Sequence, residues 1–236
     1  MSLPKIQSPI FNIVIPSMGK EYPFRPFLVK EEKILLMAQQ GEDDSNISKA
    51  VKQIVNNCCL DDSVDIEDLN IVDLEYVFLK LRARSVNNMV EVSYKDFEDE
   101  KIYTHKIDLD QVEIVRNKDV SNKIKVGKDL VLIMTYPRAS LVNNAPKFET
   151  ELELFNFMMK KCIKEVYDDE NVYVMEEQEE SEIQEFIDSL DIKTFNAIKE
   201  FFENAPKLEY VIEYKNSLGN DRKIVLDNLL DFFTWR

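Results

Sequence analysis

The sequence predicts an α+β fold made of two related halves, each with a helix followed by a β-hairpin. Residues 89–110 and residues 208–227 both contain an alternating apolar strand, a polar loop and a returning strand. The stretch before each hairpin has apolar residues at helical spacing. These observations indicate either an internal duplication or convergence of two similar motifs, because a helix followed by a hairpin is common.

The N-terminal residues 1–29 are predicted to form an extended arm. They hold five of the eight prolines of the chain, and proline fixes φ and biases the preceding residue toward extended conformations. The apolar segment 11–15 is typical of a short strand. Such an arm packs either on its own domain or on a neighbouring molecule, and the sequence leaves both arrangements open.

The first lobe is predicted to cover residues 30–140. Apolar stripes at helical spacing alternate with acidic or Gly-containing breaks, and a period of two marks the strands. Asp73 has the side chain and position of a helix cap. The predicted elements are helices over 30–40, 47–58 and 73–84, a hairpin with its loop at 96–100, and strands over 112–115 and 130–136.

The second lobe is predicted to cover residues 141–236. A dense acidic run, 176–180, has the composition of a solvated helix start, where acidic side chains complement the helix dipole. Asp191 is predicted to open the next helix and Pro206 to stop it. The predicted elements are helices over 150–166, 176–190 and 191–205, a hairpin turning at 217–220, and a terminal helix over 229–235.

Charge and composition narrow the class of protein and of partner. Forty-five acidic residues stand against 30 basic ones, giving a net charge of -15, while 44% of the 236 residues are hydrophobic. This composition predicts a folded, highly soluble protein that repels nucleic acid and anionic membranes and favours basic protein partners. We expect no signal peptide or membrane span and, with three cysteines lacking a disulfide or metal pattern, synthesis in a reducing cytoplasm.

The motifs of common catalytic sites are missing from the sequence. Only four glycines and one histidine, His105, occur, and no Gly-x-Ser-x-Gly elbow, phosphate loop or His-Glu-x-x-His motif is present. Three acid pairs, at 43–44, 61–62 and 168–169, could chelate a cation, but they fit helix caps and links equally well. We predict no enzymatic activity, no cofactor and no metal; a cation-dependent hydrolase that uses an acid pair is the rival hypothesis.

Several short motifs resemble one known protein family. The segment 24–38, Phe-Arg-Pro-Phe-Leu-Val-Lys-Glu-Glu-Lys-Ile-Leu-Leu-Met-Ala, and the segment 79–86, Leu-Lys-Leu-Arg-Ala-Arg-Ser-Val, are similar to the baseplate hub subunits and hub-assembly proteins of T-even-type contractile-tailed phages. Tyr136-Pro137 and the segment 229–233 also fit the family. The resemblance spans about residues 24 to 233 and implies a role in building the tail hub through non-covalent contacts with other tail proteins.

The hairpin loops depart from one feature of that family. Some relatives carry cysteine pairs at the hairpin tips, as in a zinc ribbon, whereas the tips here, 96–99 and 216–220, have none. A structural zinc site needs four thiolate or imidazole ligands. We therefore expect cross-strand packing to hold the hairpins instead, through Val92, Tyr94, Ile212 and Tyr214.

The predicted binding surface is the arm and the start of the first helix. Its residues are Arg25, Phe27, Lys30, Glu31 and Lys33, joined by Trp235 and, as secondary contacts, by the two hairpin loops. A Trp beside the C-terminus either packs on its own domain or anchors in a partner's pocket. We expect alanine at Arg25 and Phe27 to abolish co-purification with hub partners and to leave thermal unfolding nearly unchanged.

The sequence thus predicts a non-enzymatic tail baseplate protein, either a hub subunit or an assembly chaperone. Its partners would be other baseplate and hub proteins in a homo- or hetero-oligomer, with neither nucleic acid nor membrane involved. It would be found in the host cytoplasm during assembly, and a permanent subunit would also be found in the virion baseplate. The alternative is an acidic adaptor that sequesters a basic host or phage protein.

Overall fold

The computed structural model describes residues 6–40, 44–116, 120–141, 146–168 and 170–232. Within this part of the chain, α-helices alternate with strands that form several small antiparallel sheets. This arrangement confirms the predicted α+β class.

The chain divides into two compact units. Unit 1 combines Met1–Val115 with Lys207–Arg236, and unit 2 is the intervening Arg116–Pro206. The predicted lobes, 30–140 and 141–236, group the chain differently, because strand pairing places the second hairpin in unit 1. The helix before that hairpin belongs to unit 2, so the structure does not confirm the proposed internal duplication.

The described α-helices of unit 1 place apolar side chains in its core, as stripes in the second and third helices and mainly through Leu35 in the first. Val51, Ile54 and Cys58 of the second helix are buried, as the spacing of its apolar residues predicts. The helices are α1 (Val29–Gln39), α2 (Asp44–Cys58) and α3 (Ile71–Ser85).

The N-terminus of α3 is capped differently from the prediction. Asn70 is the cap, and its side chain accepts a hydrogen bond from the backbone N–H of Asp73. The Asp73 side chain is instead buried and accepts from the backbone N–H of Ser17, 56 residues earlier in the chain. Asp73 therefore links α3 to the N-terminal segment.

Within the predicted arm, residues 11–24 form a β-hairpin that belongs to unit 1. Strands β1 (Phe11–Ile15) and β2 (Lys20–Phe24) pair in an antiparallel manner, and Gly19, with φ at +63°, closes the turn between them. Ile15 and Phe24 are fully buried, and Phe24 also bridges to Cys59 after α2. Of the two arrangements open from the sequence, the segment therefore packs on its own domain.

Two longer hairpins complete unit 1, at the positions that the sequence predicts. Their inward residues Val92 and Ile212 are buried, while Gly219, with φ at +86°, supports the predicted turn of the second hairpin. The strands are β3 (Met89–Lys95) with β4 (Ile102–Asp108), and β10 (Lys207–Lys215) with β11 (Asp221–Leu226). Strand β5 (Glu113–Val115) pairs with the start of β10, with Val115 opposite Lys207.

Unit 2 packs helices against a four-stranded antiparallel sheet. Its core includes Leu132, Cys162, Ile198 and Phe201, and the ring of Phe201 stacks on Tyr136 with centroids 4.7 Å apart. The strands are β6 (Lys123–Val126), β7 (Leu130–Met134), β8 (Ile163–Tyr167) and β9 (Val172–Val174) in that order across the sheet. The helices are α4 (Glu151–Cys162), α5 (Glu180–Asp188) and α6 (Ile192–Glu203).

Three predicted helices are shorter in the structure. The helix predicted over 150–166 ends at Cys162, because Ile163–Tyr167 pairs with β7 as an interior strand of the sheet. Of the acidic run 176–180, only Glu180 lies in an α-helix, of which it is the first residue, while Met175–Glu177 forms a 3-10 turn. The terminal helix is a 3-10 turn over Leu229–Phe232, and the residues beyond it lie outside the described part of the chain.

The register of β5 with β10 predicts that unit 2 can be removed without unfolding unit 1. Paired Cα atoms in an antiparallel ladder lie about 5 Å apart, a gap that a short Asn-Gly turn closes. We expect a chain with this turn in place of 116–206 to unfold cooperatively in circular dichroism. As a control, removal of 207–226 should abolish folding, because Leu208 and Leu226 are buried. Failure of the first variant to fold would contradict the prediction.

Candidate functional site

The predicted binding residues Arg25 and Glu31 form an internal ion pair. The Arg25 Nη2 and Glu31 Oε1 atoms are 2.9 Å apart, and the Glu31 side chain is fully buried while that of Arg25 is 15% exposed. Arg25 also donates to the backbone oxygen of Asn57 at 2.7 Å. These contacts join the end of the N-terminal hairpin to α1 and α2, so they stabilise unit 1.

The surroundings of the pair favour its charged form. Burial alone would raise the pKa of Glu31, but hydrogen bonds from Arg25 and from the backbone N–H of Leu28 hold it below its usual value. The same hydrogen bond to Glu31 raises the pKa of Arg25. Both groups are therefore ionised at neutral pH.

Phe27 is also held by internal contacts. Its ring lies 5.6 Å from that of Phe78, centroid to centroid, and its backbone N–H donates to Ser85 Oγ at 2.8 Å. Arg25, Phe27 and Glu31 thus have structural contacts in unit 1. Contrary to the expectation from the sequence, alanine at Arg25 and Phe27 should therefore lower the thermal stability of unit 1.

Lys33 of the predicted surface lies on an outer face of α1 that extends beyond that surface, to Leu36 and Met37. Val29, Lys33, Leu36 and Met37 follow the i, i+4, i+7, i+8 spacing of a single helix face, and all four side chains are exposed. Val29 is 71% and Met37 73% exposed. We call these four residues the α1 outer face.

Lys30 and Trp235 are the remaining residues of the predicted binding surface. Lys30 is exposed beside the α1 outer face, with its Nζ 3.5 Å from the Glu31 carboxylate. Trp235 lies outside the described residues. Of the named side chains that the structure describes, Lys30 and Lys33 are exposed, whereas Arg25 and Phe27 are partly buried and Glu31 is fully buried.

The two hairpin loops bind each other. We call the residues 96–101 and 216–222, together with Tyr103 and Tyr214, the loop clamp. At its centre the Asp96 carboxylate, fully buried, accepts from the Tyr214 hydroxyl at 2.6 Å and from Arg222 Nε at 3.0 Å. These contacts link positions more than a hundred residues apart in the chain.

Two further carboxylates extend the loop clamp. Glu98 accepts from the side-chain amides of Asn216 and Asn220, both at 2.6 Å. Asp99 accepts from the Ser217 hydroxyl at 2.8 Å and its backbone N–H at 3.0 Å. Charge-assisted hydrogen bonds of this kind are stronger than those between neutral groups, so the loops are held in one arrangement.

The electrostatics of the loop clamp favour ionised carboxylates. The hydrogen bond from Tyr214 and the charge of Arg222 lower the pKa of Asp96, and Asp96 in turn raises the pKa of Arg222. Desolvation opposes ionisation of Asp99, but donors that include Tyr103 and Ser217 bring its pKa below the usual value. Asp96 and Asp99 are therefore ionised at neutral pH, the form in which both oxygens accept hydrogen bonds.

The single histidine belongs to the same region. The ring of His105 lies 4.9 Å from that of Tyr214, which also packs on Tyr103 at 4.9 Å. Burial lowers the pKa of His105, and its Nε2 has no hydrogen-bond partner among the described residues. An aromatic contact between hairpins accounts for the position of this side chain.

The sequence predicted the hairpin loops as secondary contacts with a partner but missed their mutual contact. The available signal was local: an Asp-rich loop in one hairpin, and an Asn- and Ser-rich loop with a following Arg in the other. Acceptors in one loop and donors in the other are complementary. Nothing in the sequence pattern alone aligns the two loops in space.

The acid pairs take part in turns of the backbone. Asp61 accepts from the backbone and hydroxyl of Ser63, and Asp168 accepts from the backbone N–H groups of Glu170 and Asn171. Asp43 and Asp169 lie outside the described residues. In the part of the chain that the structure describes, no group of three or more His, Cys, Asp or Glu side chains is arranged to hold a metal ion.

A comparison with models of protein families identifies the family of this chain. A family model described as T4 bacteriophage base plate protein matches residues 8–234, which cover both units. The chain therefore belongs to this family of phage baseplate proteins.

Other comparisons add no relative. Searches of curated proteins and of solved structures each gave no significant match. Among the described helices, none has the combination of length and apolar character that crossing a bilayer requires.

The Arg25–Glu31 pair predicts a strong effect on stability. Arg25→Ala leaves a buried carboxylate without its cation, and we expect it to lower the free energy of unfolding by about 3 kcal/mol in urea titrations. The control Lys30→Ala removes an exposed cation from the same carboxylate and should change it by less than about 0.5 kcal/mol. Equal, small effects of both substitutions would contradict the structural role of Arg25.

Proposed function

We propose that this protein is a structural or assembly component of the baseplate hub that acts through protein–protein contacts and without catalysis. Membership of the baseplate family, matched over nearly the whole chain, carries this proposal. The exposed apolar residues on α1 support it, because contiguous apolar surface on a soluble protein is typical of an interaction site.

The α1 outer face is the proposed principal contact with another baseplate subunit. Its apolar side chains Val29, Leu36 and Met37 would form the buried centre of the interface, and Lys30 and Lys33 would lie at its rim. In a chain with a net charge of -15, these lysines are a local positive feature. We therefore propose a partner surface with an apolar centre and carboxylates at its edge.

The hub subunit and the assembly chaperone differ in the fate of the protein. A subunit remains in purified tails at a fixed ratio to the other baseplate proteins, whereas a chaperone is present in assembly intermediates and missing from finished tails. Quantitative mass spectrometry of both fractions from infected cells separates the two forms. Absence from both fractions would overturn the proposed function and favour the acidic adaptor.

Substitution on the α1 outer face tests the proposed contact. We expect Val29→Glu with Met37→Glu to weaken co-purification with other tail proteins about tenfold or more, because a charge enters the apolar centre of the interface. The two side chains are exposed, so the melting temperature should stay within about 2 °C of the wild type.

A matched control uses an equally exposed apolar residue elsewhere. Leu152 on α4 is 68% exposed, and Leu152→Glu should leave co-purification unchanged. Equal losses for the control and the α1 double variant would show a nonspecific effect of charge and contradict the α1 contact.

A further inference from the structure

The loop clamp presents two apolar side chains to solvent. Phe97, in the loop of the first hairpin, is 92% exposed, and Leu218, in the loop of the second, is 62% exposed. Both residues come from turns in which polar side chains dominate. An almost fully exposed phenylalanine in an ordered turn contributes little to the core of unit 1.

The turn that carries Phe97 is fixed on both sides. The backbone N–H of Asp96 donates to the Lys101 oxygen at 2.8 Å, and the Asp96 side chain accepts from the Glu98 N–H at 2.8 Å. Phe97 therefore lies between Asp96, which is buried, and Glu98, which binds the other loop.

The turn that carries Leu218 is fixed in the same way. The Asn216 side chain accepts from the backbone N–H groups of Leu218 and Asn220 at 3.1 and 3.0 Å. Because Asn216 and Asn220 also bind Glu98, the two turns lie side by side.

Because both loops are already ordered, little conformational entropy is lost when a partner binds them. Ordering of loops and side chains opposes association, and a loop that is already ordered avoids much of this loss. Exposed aromatic side chains that fill a partner's pocket commonly dominate the binding energy. The loop clamp thus has the properties of a preformed anchor.

We propose that the loop clamp inserts Phe97 and Leu218 into an apolar cleft rimmed by Lys or Arg on a different baseplate protein. The charge around the anchors supports a basic rim: apart from the buried Asp96 and its partner Arg222, four carboxylates stand against one lysine within 96–101 and 216–222. This inference rests on the proposed function for the class of the partner and extends it by the chemistry of the cleft.

One apolar pocket of a second copy of this chain does not suit these anchors. Unit 2 has an apolar pocket of about 580 Å³ that includes Met175, Ile183 and Phe186. Its lining also includes Asp168, Glu182 and Glu185. These carboxylates would repel the acidic loops, and like charges brought together oppose association.

Photo-crosslinking in infected cells tests the proposal with the full-length protein. With p-benzoylphenylalanine in place of Phe97, we expect a crosslink to another tail protein, at an apolar segment with flanking Lys or Arg that mass spectrometry identifies. A crosslink to a second copy of this chain, to an acidic surface or to no protein would overturn the proposal.

Binding to the crosslinked tail protein, purified, gives the quantitative test. We expect Phe97→Ala with Leu218→Ala to weaken the Kd about tenfold or more, and added salt to weaken wild-type binding. Val172→Ala, at a 63% exposed position in unit 2, is the control and should bind as the wild type does. Wild-type affinity of the double variant, or no dependence on salt, would contradict the proposal.

The α1 variants distinguish failure of this inference from failure of the proposed function. If the Phe97 and Leu218 variant captures tail proteins normally while the Val29 and Met37 variant does not, the anchor is wrong and the baseplate function stands. If the wild-type protein captures no tail protein, the proposed function itself fails.

Discussion

The contact of the Asp96 carboxylate with Tyr214 and Arg222 is the interaction on which the arrangement of unit 1 depends. It joins two hairpins that are separated in the chain by all of unit 2. Buried carboxylates are unfavourable unless hydrogen-bonded, and here the second hairpin supplies the donors. The first hairpin loop therefore reaches its observed state only when the C-terminal part of the chain is in place.

The Arg25–Glu31 pair has a similar role at the other end of the sequence. It connects the N-terminal hairpin to α1 and α2, and it leaves the α1 outer face free. In both places a polar network inside unit 1 fixes an element whose apolar side chains are exposed. A baseplate protein must present defined surfaces to its neighbours, and elements fixed in this way meet that need.

Local patterns in the sequence predicted most helices, the two long hairpins and strand β1, but not its partner β2. Periodicity identified α2 because its buried face is continuous, and alternation identified β3 and β10. Periodicity failed at Val166, because a buried strand and a buried helix both show runs of apolar residues. The pairing of Val115 with Lys207 and the contacts of Asp96 connect distant segments, so no local pattern specifies them. The contact of Arg25 with the Asn57 backbone oxygen spans 32 residues, so no local pattern reveals the internal role of Arg25 either.

A double-mutant cycle on Asp96 and Tyr214 tests the central claim most directly. The free energy of unfolding is measured in urea for the wild type, Asp96→Ala, Tyr214→Phe and the double variant. If the two side chains stabilise unit 1 through their shared hydrogen bond, the loss in the double variant is clearly smaller than the sum of the two single losses. Single losses that add would contradict a direct coupling between the hairpins and, with it, the account of the loop clamp.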